Sequence, residues 1–280
     1  MGNKLPDKMD RKLVIIPTYN EKENIADILK AVFALEGDFH VLVIDDSSPD
    51  GTAAIVKELQ AKEAGSLSGA SAQLSAEERE SASCQRLHLL ERSGKLGLGT
   101  AYLTGFQWAL DHGYDYVFEM DADFSHNPQD LLRLHKACAK DGAHVAVGSR
   151  YCSGVSVVDW PISRILMSYF ASAYVRMVLG MHVYDTTAGF VCYSRNVLET
   201  MDLNAIKMKG YGFQIEMKYT AWKLGFTIKE VPIVFVNRQK GTSKMSGGIF
   251  SEAFWGVIGL RFRGIKRCST PSPRRVPDER

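Results

Sequence analysis

The chain has 280 residues, 45% of them hydrophobic and 24% charged, enough apolar material for one large α/β domain or two small ones. A formal net charge of +2 argues against nucleic acid as a partner of the whole chain. The five cysteines form no CxxC pair and are odd in number, so they read as reduced thiols in a cytosolic setting, not as a disulfide framework.

The N-terminal segment MGNKLPDKMD lacks the apolar core of a signal peptide, and Pro6 stands where myristoylation requires Ser or Thr. No apolar run approaches the ~20 residues that span a bilayer, so any work on a membrane is expected from its surface. From Leu13 onward, strand-like and helix-like segments alternate. LVII (13–16) precedes the polar PTYNE and a helix over 24–35; HVLVI (40–44) precedes DDSSPDGT and a helix; RLHLL (86–90) precedes ERSGKLGLGT and a helix. DYVFEM precedes DADFSHNP and a helix over 130–139, and HVAVG (144–148) precedes SRY. This alternation predicts a mostly parallel sheet with helices on both faces. Ligands of such sheets gather at the carboxyl ends of the strands, where the polar clusters fall.

Residues 61–85, rich in Ala, Ser, Gly and Glu, read as a mobile surface insertion with little to bury. After residue 150 the rhythm changes. A long apolar segment (160–181) carries Arg164 and Arg176; a helix follows over 211–226, then a strand over 228–238. IFSEAFWGVIGLRF reads as a final amphipathic helix, too short to span a bilayer but able to lie in its interface. Residues 261–280 hold seven Lys/Arg against two Asp/Glu, a balance that favours anionic headgroups.

Asp121 and Asp123 end what reads as a buried strand. Residues two apart in extended backbone point the same way, so the two charges converge and need a cation or donors. A divalent metal held against phosphates is one reading; a helix cap beside a solvated Asp121 is the other. GKLGLGTAYLTG (94–105) departs from the dinucleotide fingerprint at Tyr102 and follows the third strand, so a nicotinamide dehydrogenase is a poor reading. Its glycines bring backbone toward a phosphate near a helix N-terminus, or simply form a loop. Asp45 or Asp46 is placed to accept from a base or ribose, and Tyr19 to cover a base. Arg164 and Ser168, four apart, share a helix face. With Arg150, Arg238 and Lys244 they form a candidate second anion site, although each alone would be a solvated surface charge.

Taken together, PTYNE, IDDSSPDGT, KLGLGTAY, MDADFSHNP, GSRY and FVNRxxGTSK resemble the polyprenyl-phosphate mannosyltransferases, the dolichol-phosphate mannose synthase group within the family 2 glycosyltransferases. The match covers roughly residues 12–250. The resemblance implies a GT-A fold: a Rossmann-like, mostly parallel α/β sheet with flanking helices over 12–248. Around it lie a flexible N-terminus (1–11), an amphipathic helix (249–264) and a disordered basic tail (265–280). It implies inverting transfer of mannose from GDP-mannose to polyprenyl (dolichyl-type) phosphate, with Mg2+ or Mn2+, at the cytosolic membrane face. A UDP-glucose-using sister enzyme and a catalytically silent binding subunit are the alternatives.

By position the resemblance assigns nucleotide-sugar contacts to Pro17, Tyr19, Glu21, Ile44, Asp46, Asp121, Ala122, Asp123, Arg238 and Lys244. Metal contacts fall to Asp121, Asp123 and Ser125, and lipid-phosphate contacts to Arg150, Arg164 and Ser168. Asp121, Asp123, Arg150 and Arg238 are expected to act directly in the reaction. The chain departs from the pattern in its 61–85 insertion and in Val191, where the family often has a basic residue. It also lacks C-terminal transmembrane helices, which leaves membrane attachment to amphipathic segments or small anchoring subunits. A lipid phosphate is already a nucleophile, so no strong base is required. Glu216 would be the base for a hydroxyl acceptor, and otherwise an exposed or supporting helix residue.

Overall fold

A computed structural model describes residues 10–70, 85–208, 210–238, 248–265 and 267–268. Strand β1 (Lys12–Thr18) shows why the sheet is central. Leu13 and Ile15 pack into one apolar cluster, Val14 and Ile16 into another, and all four are fully buried. A strand covered on both faces needs such an unbroken apolar run. The elements that follow are α1 (Ile25–Phe33), β2 (Phe39–Asp45), α2 (Thr52–Ala70), β3 (Leu87–Glu91), α3 (Leu98–Asp111), β4 (Tyr116–Glu119) and α4 (Asp130–Ala139). Then come β5 (Val145–Ser149), β6 (Val157–Val158), α5 (Ile162–Leu179), β7 (Val191–Ser194), α6 (Arg195–Thr200) and α7 (Gly210–Lys223). The last are β8 (Ile228–Pro232), β9 (Phe235–Val236) and α8 (Gly248–Phe262).

The main sheet has seven strands in the order β3-β2-β1-β4-β7-β5-β8. Strand β7 runs antiparallel to both its neighbours, β4 and β5, and every other pairing in the sheet is parallel. One face is covered by α1, α2 and α4 through Ile28, Val32, Val56, Leu131 and Leu134. The other is covered by α3, α6 and α7 through Tyr102, Phe106, Val197, Phe213 and Met217. Gly105 lets α3 lie on the sheet, because a Cβ there would stand 2.7 Å from Ile15 and 3.0 Å from Ile44. A third cluster, formed by Val175, Leu179, Ile215, Tyr219, Val257 and Leu260, joins α5, α7 and α8.

One expectation changes here. Residues 228–238 form two short strands, not one: β8 pairs with β5, and β9 pairs with β6 in a separate two-stranded sheet. Pro232 closes the first because it has no N–H to continue the ladder. Residues 61–70, the start of the expected insertion, continue α2; residues 71–84 lie outside the described residues. Among the described residues no helix is long and apolar enough to cross a membrane. Arg267 pairs with Met201, and the Cys268 N–H donates to the Thr200 carbonyl, so the beginning of the basic tail is tied to α6.

Candidate active site

The carboxyl ends of β1, β2 and β4 lie side by side, and each is followed by a residue in the left-handed region: Asn20 (φ 56°), Ser47 (φ 56°) and Phe124 (φ 59°). Non-glycine residues adopt that conformation at a cost, and such strain collects at binding sites. At Phe124 it turns the chain back so that the Ser125 N–H donates to Asp123 Oδ1 at 3.0 Å.

The two aspartates do come together, but in the loop beyond β4, which ends at Glu119, and not within the strand that the spacing predicts. Phe118, Met120 and Ala122 pack into the core beneath α1 and α4, whereas Asp121 and Asp123 lie past the end of the strand within reach of Arg238 and Arg150. Burial, followed by the Asp123 charge and Glu21, pushes the Asp121 carboxyl up to about 7, while Arg238 and Arg150 oppose the shift. Asp123 is buried and pairs through Oδ2 with Arg238 at 2.9 Å. Ser125 is buried beside it, and its carbonyl accepts from the Val236 N–H at 3.2 Å, fastening β9 over this corner.

Across the corner, Asp46 is engaged within the protein. Its Oδ1 lies 2.6 Å from Arg92 Nε, and its Oδ2 accepts from the Leu96 N–H at 3.2 Å. Arg92 also reaches Thr100 Oγ1 at 2.8 Å and the Gly97 carbonyl at 3.2 Å. Asp46 and Arg92 thus close the glycine loop over the end of β2. Gly97 opens α3 at φ 99°, and a Cβ at Gly99 would touch the Phe213 ring at 3.0 Å, so the second glycine serves packing against α7. Tyr19 is half-buried with Lys95 Nζ 4.9 Å from its ring centroid. Pro17 and Glu21 are half-buried at the end of β1, and Glu21 accepts from Asn24 at 3.0 Å. The side chains of Ile44 and Ala122 lie in the core, so any ligand contact expected at these two positions would fall to their backbone.

Arg150, Arg164 and Ser168 line one cavity of ≈ 430 Å³. Its remaining walls are largely apolar and aromatic, including Trp160, Phe170, Tyr174 and Val175, with Phe254 and Val257 contributed by α8. Both guanidiniums approach the Trp160 ring, Arg164 at 3.9 Å and Arg150 at 5.5 Å from its centroid. Burial, with Arg150 and Arg238 adding to it, holds the Arg164 pKa below its ordinary value. The three arginines grouped from the sequence therefore do feel one another. Arg150, however, arrives already paired. Burial opposes its charge, but Asp185 grips it at 2.7 and 2.6 Å and keeps its pKa high, and Thr187 adds a bond at 2.9 Å. Lys244 lies outside the described residues.

Glu216 corrects an expectation. It is fully buried, not exposed. Its Oε2 accepts from the Lys207 and Met208 N–H groups at 2.9 and 2.7 Å, and its Oε1 meets Arg263 just past α8. It is a structural clamp that ties α7 to the Lys207–Met208 backbone and to Arg263. Residues that the sequence reading passed over include Trp160, Asp185, His126, Glu119 and Lys218. His126 is buried against Phe190 with its ring held near a pKa of about 4 by burial. The available signal was the same for Glu119, Asp185 and Lys218: a charge inside an apolar stretch, which cannot be buried without a partner.

The model of the family described as Glycosyl transferase family 2 matches residues 13–202. A curated relative from Mycolicibacterium smegmatis, named polyprenol monophosphomannose synthase, is 44% identical over 264 residues, covering 92% of each chain. Another, from Micrococcus luteus and named undecaprenyl-phosphate mannosyltransferase, is 42% identical, covering 91% of this chain and 98% of that one. Among solved structures, the glucosyl-3-phosphoglycerate synthase of Mycobacterium tuberculosis in complex with Mn2+, UDP and phosphoglyceric acid superposes with a TM-score of 0.61. The identity is 16%, over 90% of this chain and 79% of that one.

Proposed function

Because the chain belongs to glycosyl transferase family 2 and carries the GT-A architecture of a hexosyltransferase, we propose that it moves mannose, with inversion, from GDP-mannose to a polyprenyl phosphate. The products are polyprenyl phosphate mannose and GDP. The observation that carries this reading is the cavity holding Arg150, Arg164 and Ser168 among apolar walls, next to the Asp121–Asp123 corner. It offers cations to a phosphate and apolar surface to a hydrocarbon, and the names of the two curated relatives point to the same acceptor class.

Asp121, Asp123 and Ser125 would hold a divalent ion. Among the described residues no larger His, Cys, Asp or Glu cluster is arranged to bind metal, and one or two carboxylates with phosphate and water is what magnesium usually takes. The ion supplies Lewis-acid neutralisation of the leaving diphosphate. Asp121, with its carboxyl pushed up to about 7, gains most from a positive neighbour. Arg92 and Asp46 hold the glycine loop in place, and Tyr19 and Lys95 flank the position of the base. Arg164 and Arg238 offset the charge of two phosphates brought together; Arg150, matched by Asp185, orients more than it neutralises. The acceptor oxygen attacks without a protein base, in keeping with Glu216 being locked in its clamp.

The acceptor is delivered from a membrane. Ile162 (75% exposed), Phe170 (63%) and Met177 (78%) on α5, with Trp255 (69%) and Phe262 (84%) on α8, are exposed on the two helices that supply part of the cavity wall. We place them in the cytosolic headgroup region, where amphipathic helices bind. The test is one assay: GDP-mannose against UDP-glucose, with polyprenyl phosphate, with and without Mg2+. Transfer from GDP-mannose that requires the metal supports the proposal; transfer from UDP-glucose alone refutes it.

A further inference from the structure

Lys218, on α7, is fully buried and spends its three protons inside the protein. Nζ donates to the Ala188 carbonyl at 2.6 Å, the Gln214 carbonyl at 3.2 Å and Gln214 Oε1 at 3.2 Å. Gln214 passes the contact on, its Nε2 donating to Glu119 Oε2 at 2.8 Å. Glu119 is also fully buried, and its Oε1 finds no hydrogen-bond partner among the described residues. In the sheet Glu119 stands opposite Val191, so the adjacent strand offers it no charge; compensation comes from the helix. Burial lowers the lysine to about 8 and raises the glutamate to about 8. An apolar pair would pack here at less cost.

The two arms of this network end at the two halves of the site. Glu119 closes β4, two residues before Asp121, close enough for the two carboxylates to repel each other. Ala188 belongs to the segment whose Asp185 and Thr187 grip Arg150. That segment is otherwise fixed by Glu230, which accepts from the Asp185 N–H at 2.9 Å, and by Ser172, 3.3 Å from Thr186. Resting on the function proposed above, we infer that Lys218 is a positioning residue that sets the metal corner and the acceptor arginine relative to each other, through Gln214–Glu119 on one side and Ala188 on the other.

The inference is tested with the full chain by three readouts: Mn2+ binding with GDP followed by electron paramagnetic resonance, the KM for polyprenyl phosphate, and the melting temperature. Gln214→Leu cuts the arm to Glu119 and should weaken Mn2+·GDP binding about tenfold or more while the acceptor KM stays within about twofold. Thr187→Val loosens Arg150 and should raise the acceptor KM by about tenfold with Mn2+·GDP binding kept. Lys218→Met should do both. If that variant does not fold, Lys218→Gln, uncharged but still a donor, takes its place. Equal changes in both readouts for Gln214→Leu, or no change in either, would overturn the inference, as would a Lys218 variant that alters the melting temperature alone. A wild-type chain that neither binds Mn2+·GDP nor uses polyprenyl phosphate would overturn the functional reading beneath it, and this inference with it.

Discussion

Asp123 divides its two oxygens between different tasks. One accepts from the Ser125 N–H and shapes the turn, and the other faces Arg238. Asp123→Ala should therefore lower turnover by roughly 10²–10³-fold, the scale on which removal of a pre-organised electrostatic group acts, with a melting temperature close to wild type. Arg164 is separable from that corner. It stacks on Trp160 and reaches Asn237 Oδ1 at 3.3 Å. Arg164→Ala should raise the KM for polyprenyl phosphate about tenfold or more, from the loss of charge-assisted bonds, and leave GDP-mannose affinity unchanged in calorimetry. Equal loss of both would remove Arg164 from the acceptor side. At this scale the sequence was legible where spacing sets direction, as for Arg164 and Ser168 on α5. It was not legible for Arg150, whose partner Asp185 lies 35 residues away and changes what the arginine can contribute.

The sequence puts Glu252, Gly256, Gly259 and Arg263 along one narrow helical face at α8, with apolar residues covering the rest. The side chain of Glu252 lies outside the described residues, but two of the others point inward. Gly256 leaves room for Met208, whose Cε lies 2.6 Å from where a Cβ would be, and Arg263 reaches Glu216. Val257 and Leu260 are buried, while Trp255 and Phe262 are exposed. The helix is apolar on nearly every side, so periodicity alone could not tell which side is core. Two outcomes follow for this element. Trp255→Glu with Phe262→Glu should abolish co-flotation with anionic liposomes and leave the fold intact by circular dichroism. Glu216→Gln should destabilise by less than the roughly 3–5 kcal/mol of a fully buried pair, because Arg263 is partly exposed. Chemical denaturation would measure this, and folded Glu216→Gln protein should retain turnover; its complete loss with intact donor binding would return Glu216 to the reaction as a base.

Across the whole molecule, the end of the sheet opposite the site carries a cluster of neutral histidines. His88 packs on Trp108 at 4.8 Å, and His40 bonds Tyr114 at 2.9 Å. Burial, with neighbouring charges adding to it, lowers His88 to about 4; burial likewise lowers His40. His88 stays neutral in the folded chain down to about 4 but protonates near 6.5 when unfolded, so the unfolded state binds more protons; the shift at His40 has the same sign. Stability is then lost as pH falls from about 6.5 towards about 4 and levels off below. A series of melting curves across that window should show the decline, and His88→Phe should flatten it.

What the sequence determined by itself was the alternation of elements, the apolar runs of the central strands and the polar clusters at their carboxyl ends. These follow from local periodicity, which a single chain segment carries. What the tertiary structure decided was everything that depends on partners distant in sequence. Strand β7 enters antiparallel, Pro232 divides one expected strand between two sheets, Asp185 claims Arg150, and Lys218 reaches both halves of the site from one helix. A buried charge is tolerable only where the fold delivers its counterpart, and no spacing along the chain records where that delivery occurs.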